Sequence, residues 1–78
     1  MTRRKAGEWP LPALADGSLP TVAGRVTHPD VGAGVIAFTV PVLRDRKFME
    51  WRSVITPDDG GLGRQVRTKE IHPLNSGS

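Results

Sequence analysis

Val26-Thr27-His28-Pro29-Asp30-Val31-Gly32-Ala33-Gly34-Val35-Ile36 is the stretch that decides the fold. Immediately before it and into it, Val22, Gly24 and Val26 alternate with Arg25 and Thr27, the period of a half-buried strand. His28 to Gly34 then stops the pairing. Pro29 cannot donate to a ladder, and Gly32 and Gly34 permit a tight turn with positive φ. Val35 to Val42 follows as a β-rich apolar run that Pro41 brings to an end near Val40. A strand, a glycine turn and a second strand in so short a span predict an antiparallel hairpin.

Downstream the same grammar continues. Arg44-Asp45-Arg46-Lys47 is a charged turn, and in Phe48 to Ile55 the residues Met49, Trp51, Ser53 and Ile55 share one face while Glu50 and Arg52 share the other. Thr56-Pro57-Asp58-Asp59-Gly60-Gly61-Leu62-Gly63 is a turn cluster. Gln65, Arg67 and Lys69 alternate with Arg64, Val66 and Thr68, predicting a short strand with a basic face; Ile71, Pro73 and Leu74 close the unit. The expected core is Val22, Val26, Val35 or Ile36, Phe38, Met49, Trp51, Ile55, Val66 and Ile71. In particular, Trp51 is expected to be largely buried.

Residues 1–20 read differently. Arg3, Arg4 and Lys5 form a charged knot, and Trp9-Pro10-Leu11-Pro12 and Leu19-Pro20 bracket a polar turn at Asp16-Gly17-Ser18. The prolines bias Trp9 and Leu11 toward extended backbone. Two roles suit such an arm: a cover laid over the core by Trp9 and Leu11, or a short linear motif offered to a partner. The chain therefore divides into an extended arm (1–20), a β domain (21–74) and a loose tail (75–78).

Composition bounds the rest. At 78 residues there is room for one domain with a thin core. Nine glycines and seven prolines, about one residue in five, favour a turn-rich β architecture over a helix bundle. The lack of cysteine excludes disulfides, thiolate zinc sites and a cysteine nucleophile. No apolar run reaches the ~18–20 residues of a membrane span, and no apolar block follows the basic start. The expected setting is the cytoplasm, or a particle assembled there. A net charge of +3 and a pI near 10.2 make a polyanionic partner conceivable.

The Val26–Ile36 stretch resembles the first hairpin of bacterial Tudor/SH3-like barrels, in which a valine, a His-Pro pair and Gly-x-Gly precede two apolar residues. Gly63-Arg64-Gln65-Val66-Arg67-Thr68-Lys69-Glu70-Ile71-His72-Pro73-Leu74 is similar to the last strand and one-turn helix of the same modules. These include the C-terminal domain of UvrD-type helicases and the RNA-polymerase-interacting domain of CarD-like regulators. The resemblance spans Val22 to Leu74. It implies a five-stranded SH3/Tudor-like barrel that binds and does not catalyse, with a polymerase, a helicase or an assembly subunit as its kind of protein partner. The loop around Thr39–Lys47, the long Asp58–Gly63 turn and the arm depart from the pattern.

Other chemistries have weak support. His28, His72 and Asp30 could supply metal ligands if the ends of the domain met, but two His-Pro pairs flanking turns explain the histidines more simply. Ser18 or Ser53 beside His28 would lack a nucleophile-positioning motif. Gly32-Ala33-Gly34 is not a dinucleotide fingerprint, and Asp58-Asp59-Gly60 lacks the later carboxylates of a calcium loop. The basic residues remain: Arg64, Arg67 and Lys69 on or beside one strand, and Arg44, Arg46 and Lys47 in one loop. They would meet phosphate without reading sequence, and the few aromatic residues disfavour stacking on single strands.

The expected function is a non-enzymatic adaptor without cofactor, binding a protein of nucleic-acid transactions through these cations and through Trp9 and Leu11, with weak nucleic-acid contact at most. A small structural protein of a phage or similar assembly is the alternative.

Overall fold

The structure, a computed structural model, describes residues 9–74. The Arg3–Lys5 knot, the rest of the arm before Trp9 and the tail after Leu74 lie outside the described residues. Five strands, β1 (Arg25–His28), β2 (Gly32–Arg44), β3 (Lys47–Pro57), β4 (Arg64–Arg67) and β5 (His72–Pro73), form one antiparallel sheet in the order β4-β3-β2-β1-β5. A 3₁₀ turn, Thr68–Glu70, links β4 to β5. The sheet is not closed into a barrel: β4 and β5 are its two edges. No helix among the described residues is long and apolar enough to cross a membrane.

The first hairpin forms where the sequence places it, with a tighter turn. Pro29, Asp30 and Val31 make the connection, and Gly32 already pairs with His28. Gly34 is thus a strand residue, flanked by Val26 of β1 and Pro57 of β3. A Cβ at Gly34 would collide with the Thr56 carbonyl and come within 2.8 Å of the Ile55 Cγ2. Glycine lets three strands approach here. β1 starts only at Arg25, because Thr21 to Gly24 forms a turn closed by the Gly24 N–H on the Thr21 carbonyl (2.8 Å), with Ala23 in the left-handed region (φ 68°). Val22 is therefore exposed.

β2 and β3 are much longer than expected, and β2 runs through Pro41 to Arg44. β1 covers only Gly32–Val35, so the far half of β2 has one free edge, where a proline without a donor is tolerated. Two register shifts, between Ile36 and Phe38 and between Val42 and Leu43, break the strict alternation. At the first, Ala37 is the extra residue and Phe38 passes to the face opposite Ile36, leaving it 49% exposed. At the second, Met49 is the extra residue and is 53% exposed. Trp51 is half-buried. The expected burial of Val22, Phe38, Met49 and Trp51 in the core is corrected accordingly.

The core is small: Leu14, Val26, Ile36, Ile55 and Ile71, with Val31 and Val66 packed against it. Leu14, from the arm, is a member the sequence pattern did not mark. Beside this cluster, the buried Ser53 hydroxyl hydrogen-bonds the Thr39 hydroxyl (2.7 Å) and the Thr68 hydroxyl (2.8 Å). These bonds tie β2, β3 and the 3₁₀ turn together. No buried side-chain polar atom among the described residues lacks a partner, as low-dielectric burial requires.

Gly34→Ala is expected to destabilise the fold by about 1–3 kcal/mol, the overpacking range, because its new methyl meets backbone that cannot retreat. Gly61→Ala, whose methyl would meet side-chain atoms alone, the Asp59 carboxylate at 3.1 Å and the Pro57 Cγ at 3.8 Å, should stay within about 0.5–1 kcal/mol of wild type. Urea denaturation of both variants checks the difference.

Candidate interaction surfaces

The two bulges divide the β2–β3 hairpin into a half that builds the core and a half that extends beyond it. The molecule measures 41 × 30 × 17 Å, so the hairpin projects along a flat body. At its tip Arg44 pairs with Lys47 across a two-residue loop, with Asp45 at φ 53° and Arg46 at φ 67°. Such a loop needs the left-handed region at both positions, which glycine and asparagine occupy at the least cost. Arg44, Arg46 and Lys47 are exposed and form no ion pair among the described residues.

The other cations do not make one patch. β4 ends at Arg67, so Lys69 stands on the 3₁₀ turn, off the strand. Arg64 pairs with Ile55 and Arg67 with Arg52, which puts them on opposite faces of the sheet. Arg67 is also neutralised: its Nε lies 3.2 Å from Glu50 Oε1, and its Nη1 lies 4.0 Å from Glu70 Oε2. Arg52 donates from Nε to Glu50 Oε2 at 2.9 Å. The hydrogen bond from Arg52, with Arg67 adding its charge, holds the Glu50 carboxyl below the usual glutamate range.

On the core side of the hairpin lies an aromatic cluster. Phe48 and Trp51 of β3 meet at 5.5 Å between ring centroids, and Trp9 of the arm stacks on Phe48 (6.3 Å) and meets Trp51 edge-on (6.1 Å). These separations fall in the range where aromatic pairs attract beyond their buried area. The Trp51 indole N–H donates to the Pro10 carbonyl at 2.9 Å. Beside the cluster is an apolar groove of about 230 Å³, lined by Ala13, Phe48, Met49, Trp51 and Thr68, with Glu50 and Lys69 at its polar margin.

The arm reaches this groove because it is fastened behind it. Leu14 is 6% exposed in the core, its N–H donates to the Ser18 carbonyl, and the Ala15 N–H donates to the Ile71 carbonyl, both at 2.8 Å. Asp16 caps the turn by accepting from the Ser18 N–H and hydroxyl, bonds that lower its own pKa. Trp9 thus covers Trp51 and Phe48, while Leu11 is 78% exposed and covers nothing. Leu14 performs the covering role that Leu11 was expected to share. Phe48, Met49, Pro10 and Ala13 were missed as site residues. The Trp9-Pro10 pair was visible in the sequence, but its receiving surface depends on the bulge at Met49.

His28, Ser53 and Asp58, weighed for catalysis or metal binding, are otherwise engaged. His28 is buried; its Nδ1 accepts the Asp30 N–H (3.0 Å) and its Nε2 faces Glu70 Oε1 (3.4 Å). His72 is exposed on β5, and no group of three metal-ligating side chains converges among the described residues. The Ser53 hydroxyl is committed to Thr39 and Thr68. Asp58 is ion-paired with Arg25 (2.6 Å), pinning β1 to the turn after β3. Comparison with protein-family models, curated proteins and solved structures finds no match to this chain.

The Glu50 network makes stability pH-dependent with a definite sign. A carboxyl whose folded pKa is depressed stabilises the fold above its ordinary value of 4.5, and that contribution disappears as pH falls through the lower folded value. Wild type and Glu50→Gln should therefore differ in denaturation midpoint near neutral pH and converge in acid below the carboxylate range.

Proposed function

We propose that this chain is a non-enzymatic adaptor that binds a protein partner through the projecting β2–β3 hairpin and the aromatic groove beside it. The observation that carries this reading is the hairpin tip. Arg46 occupies a left-handed position (φ 67°) that disfavours a side chain by roughly 1–2 kcal/mol, yet an arginine stands there, flanked by Arg44 and Lys47. Backbone strain at an exposed, charged position points to recognition.

The strand order supports the Tudor/SH3-like resemblance. A four-strand meander, β1 to β4, whose β1 also pairs with β5 after a one-turn 3₁₀ segment, fits such a module opened along one seam. The partner class follows from that resemblance: a protein of nucleic-acid transactions such as a polymerase or helicase, presenting an acidic surface to the tip. Dedicated nucleic-acid binding is disfavoured, because Arg67 is occupied by carboxylates and both tryptophans are engaged with each other.

The test is capture from the native host, read by mass spectrometry, with wild type and with Arg44→Gln/Arg46→Gln/Lys47→Gln. A defined low-order protein complex lost in the triple variant supports the reading. Steeply salt-dependent nucleic-acid binding, or self-assembly into a many-copy lattice as for a phage structural subunit, overturns it. Arg46→Gly should weaken capture while leaving the fold no less stable, with a gain of up to about 1 kcal/mol.

A further inference from the structure

The rings of Phe48 and Trp51 that wall the groove already carry a peptide, and that peptide is the chain's own arm. Pro10 and Pro12 fix two backbone angles and restrict the residues before them, so Trp9-Pro10-Leu11-Pro12 docks with little loss of conformational freedom. Its contacts are those by which an extended segment is read: one main-chain carbonyl, on Pro10, taken by the Trp51 indole N–H, and one bulky ring, Trp9, against Phe48 and Trp51. The carbonyl contact asks nothing of the side chain that bears it. The ring contact asks for an aromatic residue just before the proline.

The arm's occupancy is partial. Trp9 remains 40% exposed, and the apolar walls from Ala13 and Met49 to Thr68 leave about 230 Å³ beside it. Among the described residues, Leu14 and Ala15 fasten the segment from its C-terminal side. Residues 9–12 lie on the rings without joining the buried core, and Ala13 stays beside Leu14 as a wall of the groove.

We infer that the groove is a binding site for an extended, proline-flanked aromatic segment of a partner protein, and that the arm is its resident competitor in cis. This rests on the reading of the chain as a protein-binding module and names the chemistry of what it binds. The short tether from Leu14 gives the arm an effective concentration in the millimolar range. A partner segment of equal intrinsic affinity is held off until it is abundant or is helped by a second contact, such as one at the basic hairpin tip. The arm thus converts a permissive apolar groove into one that answers only to a doubly matched partner.

The experiment uses the full chain and a blocked synthetic peptide of residues 7–13 as probe. Trp9→Gly/Pro10→Gly weakens the resident segment and leaves Trp51 as the only tryptophan, so the single indole N–H resonance reports the groove. Titration should move that resonance saturably toward its wild-type position, and wild type should bind the same peptide at least tenfold more weakly. A folded variant whose indole is unmoved by the peptide overturns the inference, as does equal affinity for variant and wild type. If the double variant loses its dispersed amide spectrum, Trp9→Ala serves by the same criteria. The titration needs no native partner and leaves the hairpin tip intact, so its failure is distinct from failure of the capture experiment.

Discussion

Leu14 in the core, with the Ala15 N–H on the Ile71 carbonyl, is the constraint from which the rest of the molecule follows. A chain of this length has little apolar surface to bury, and every member of a five-residue cluster counts. The arm contributes one of those members and is joined to the segment between the 3₁₀ turn and β5. The first described residues are therefore part of the fold. From that anchor, a proline-restricted run of chain has one direction to take, and it brings Trp9 and Pro10 onto β3.

The two bulges do the complementary work. Before Ala37, β2 directs Ile36 inward against Ile55; beyond it, Phe38 faces outward and the strands carry on past the core. Past the shift at Met49, Phe48 joins Trp51 and the hairpin ends in a turn that exposes its cations. Strand length without core to match is what makes a projecting hairpin, and it lets one pair of strands serve both fold and recognition. The Glu50 network stiffens the opposite face of that hairpin: Arg52 holds Glu50 from within β3, Arg67 joins Glu50 to β4, and Arg67 extends it to the 3₁₀ turn through Glu70.

Much of this is legible in the sequence, and each departure from it has its own physical cause. Strand grammar and turn chemistry located both hairpin turns and the Asp58–Gly63 loop, and Val26, Ile36, Ile55, Val66 and Ile71 were read as core from alternation alone. Alternation fails after a bulge, because one extra residue reverses every later side chain, and nothing at Ala37 or Met49 announces one. Phe38 and Met49 leave the core for that reason, whereas Trp51 keeps the face of Ser53 and Ile55 and is only half-buried because β3 outruns the core there. Pro41 was read as a stop because a proline is excluded from a paired edge, and only the shortness of β1 frees that edge. The arm's proline-restricted character was plain; where it lands depends on Leu14, whose isolated apolar position carried no period. The basic residues were visible as types, but their grouping was not, since the strand ends at Arg67 and carboxylates distant in sequence meet it.

Hydrogen exchange at the two indoles reports whether the arm packs on the aromatic rings of β3. The Trp51 indole N–H, bonded to the Pro10 carbonyl, should exchange slowly and show cross-relaxation to protons of Pro10 and Trp9, while the Trp9 indole exchanges freely. Two indoles exchanging alike at the rate of exposed tryptophan, with no cross-relaxation between the arm and β3, would contradict that packing.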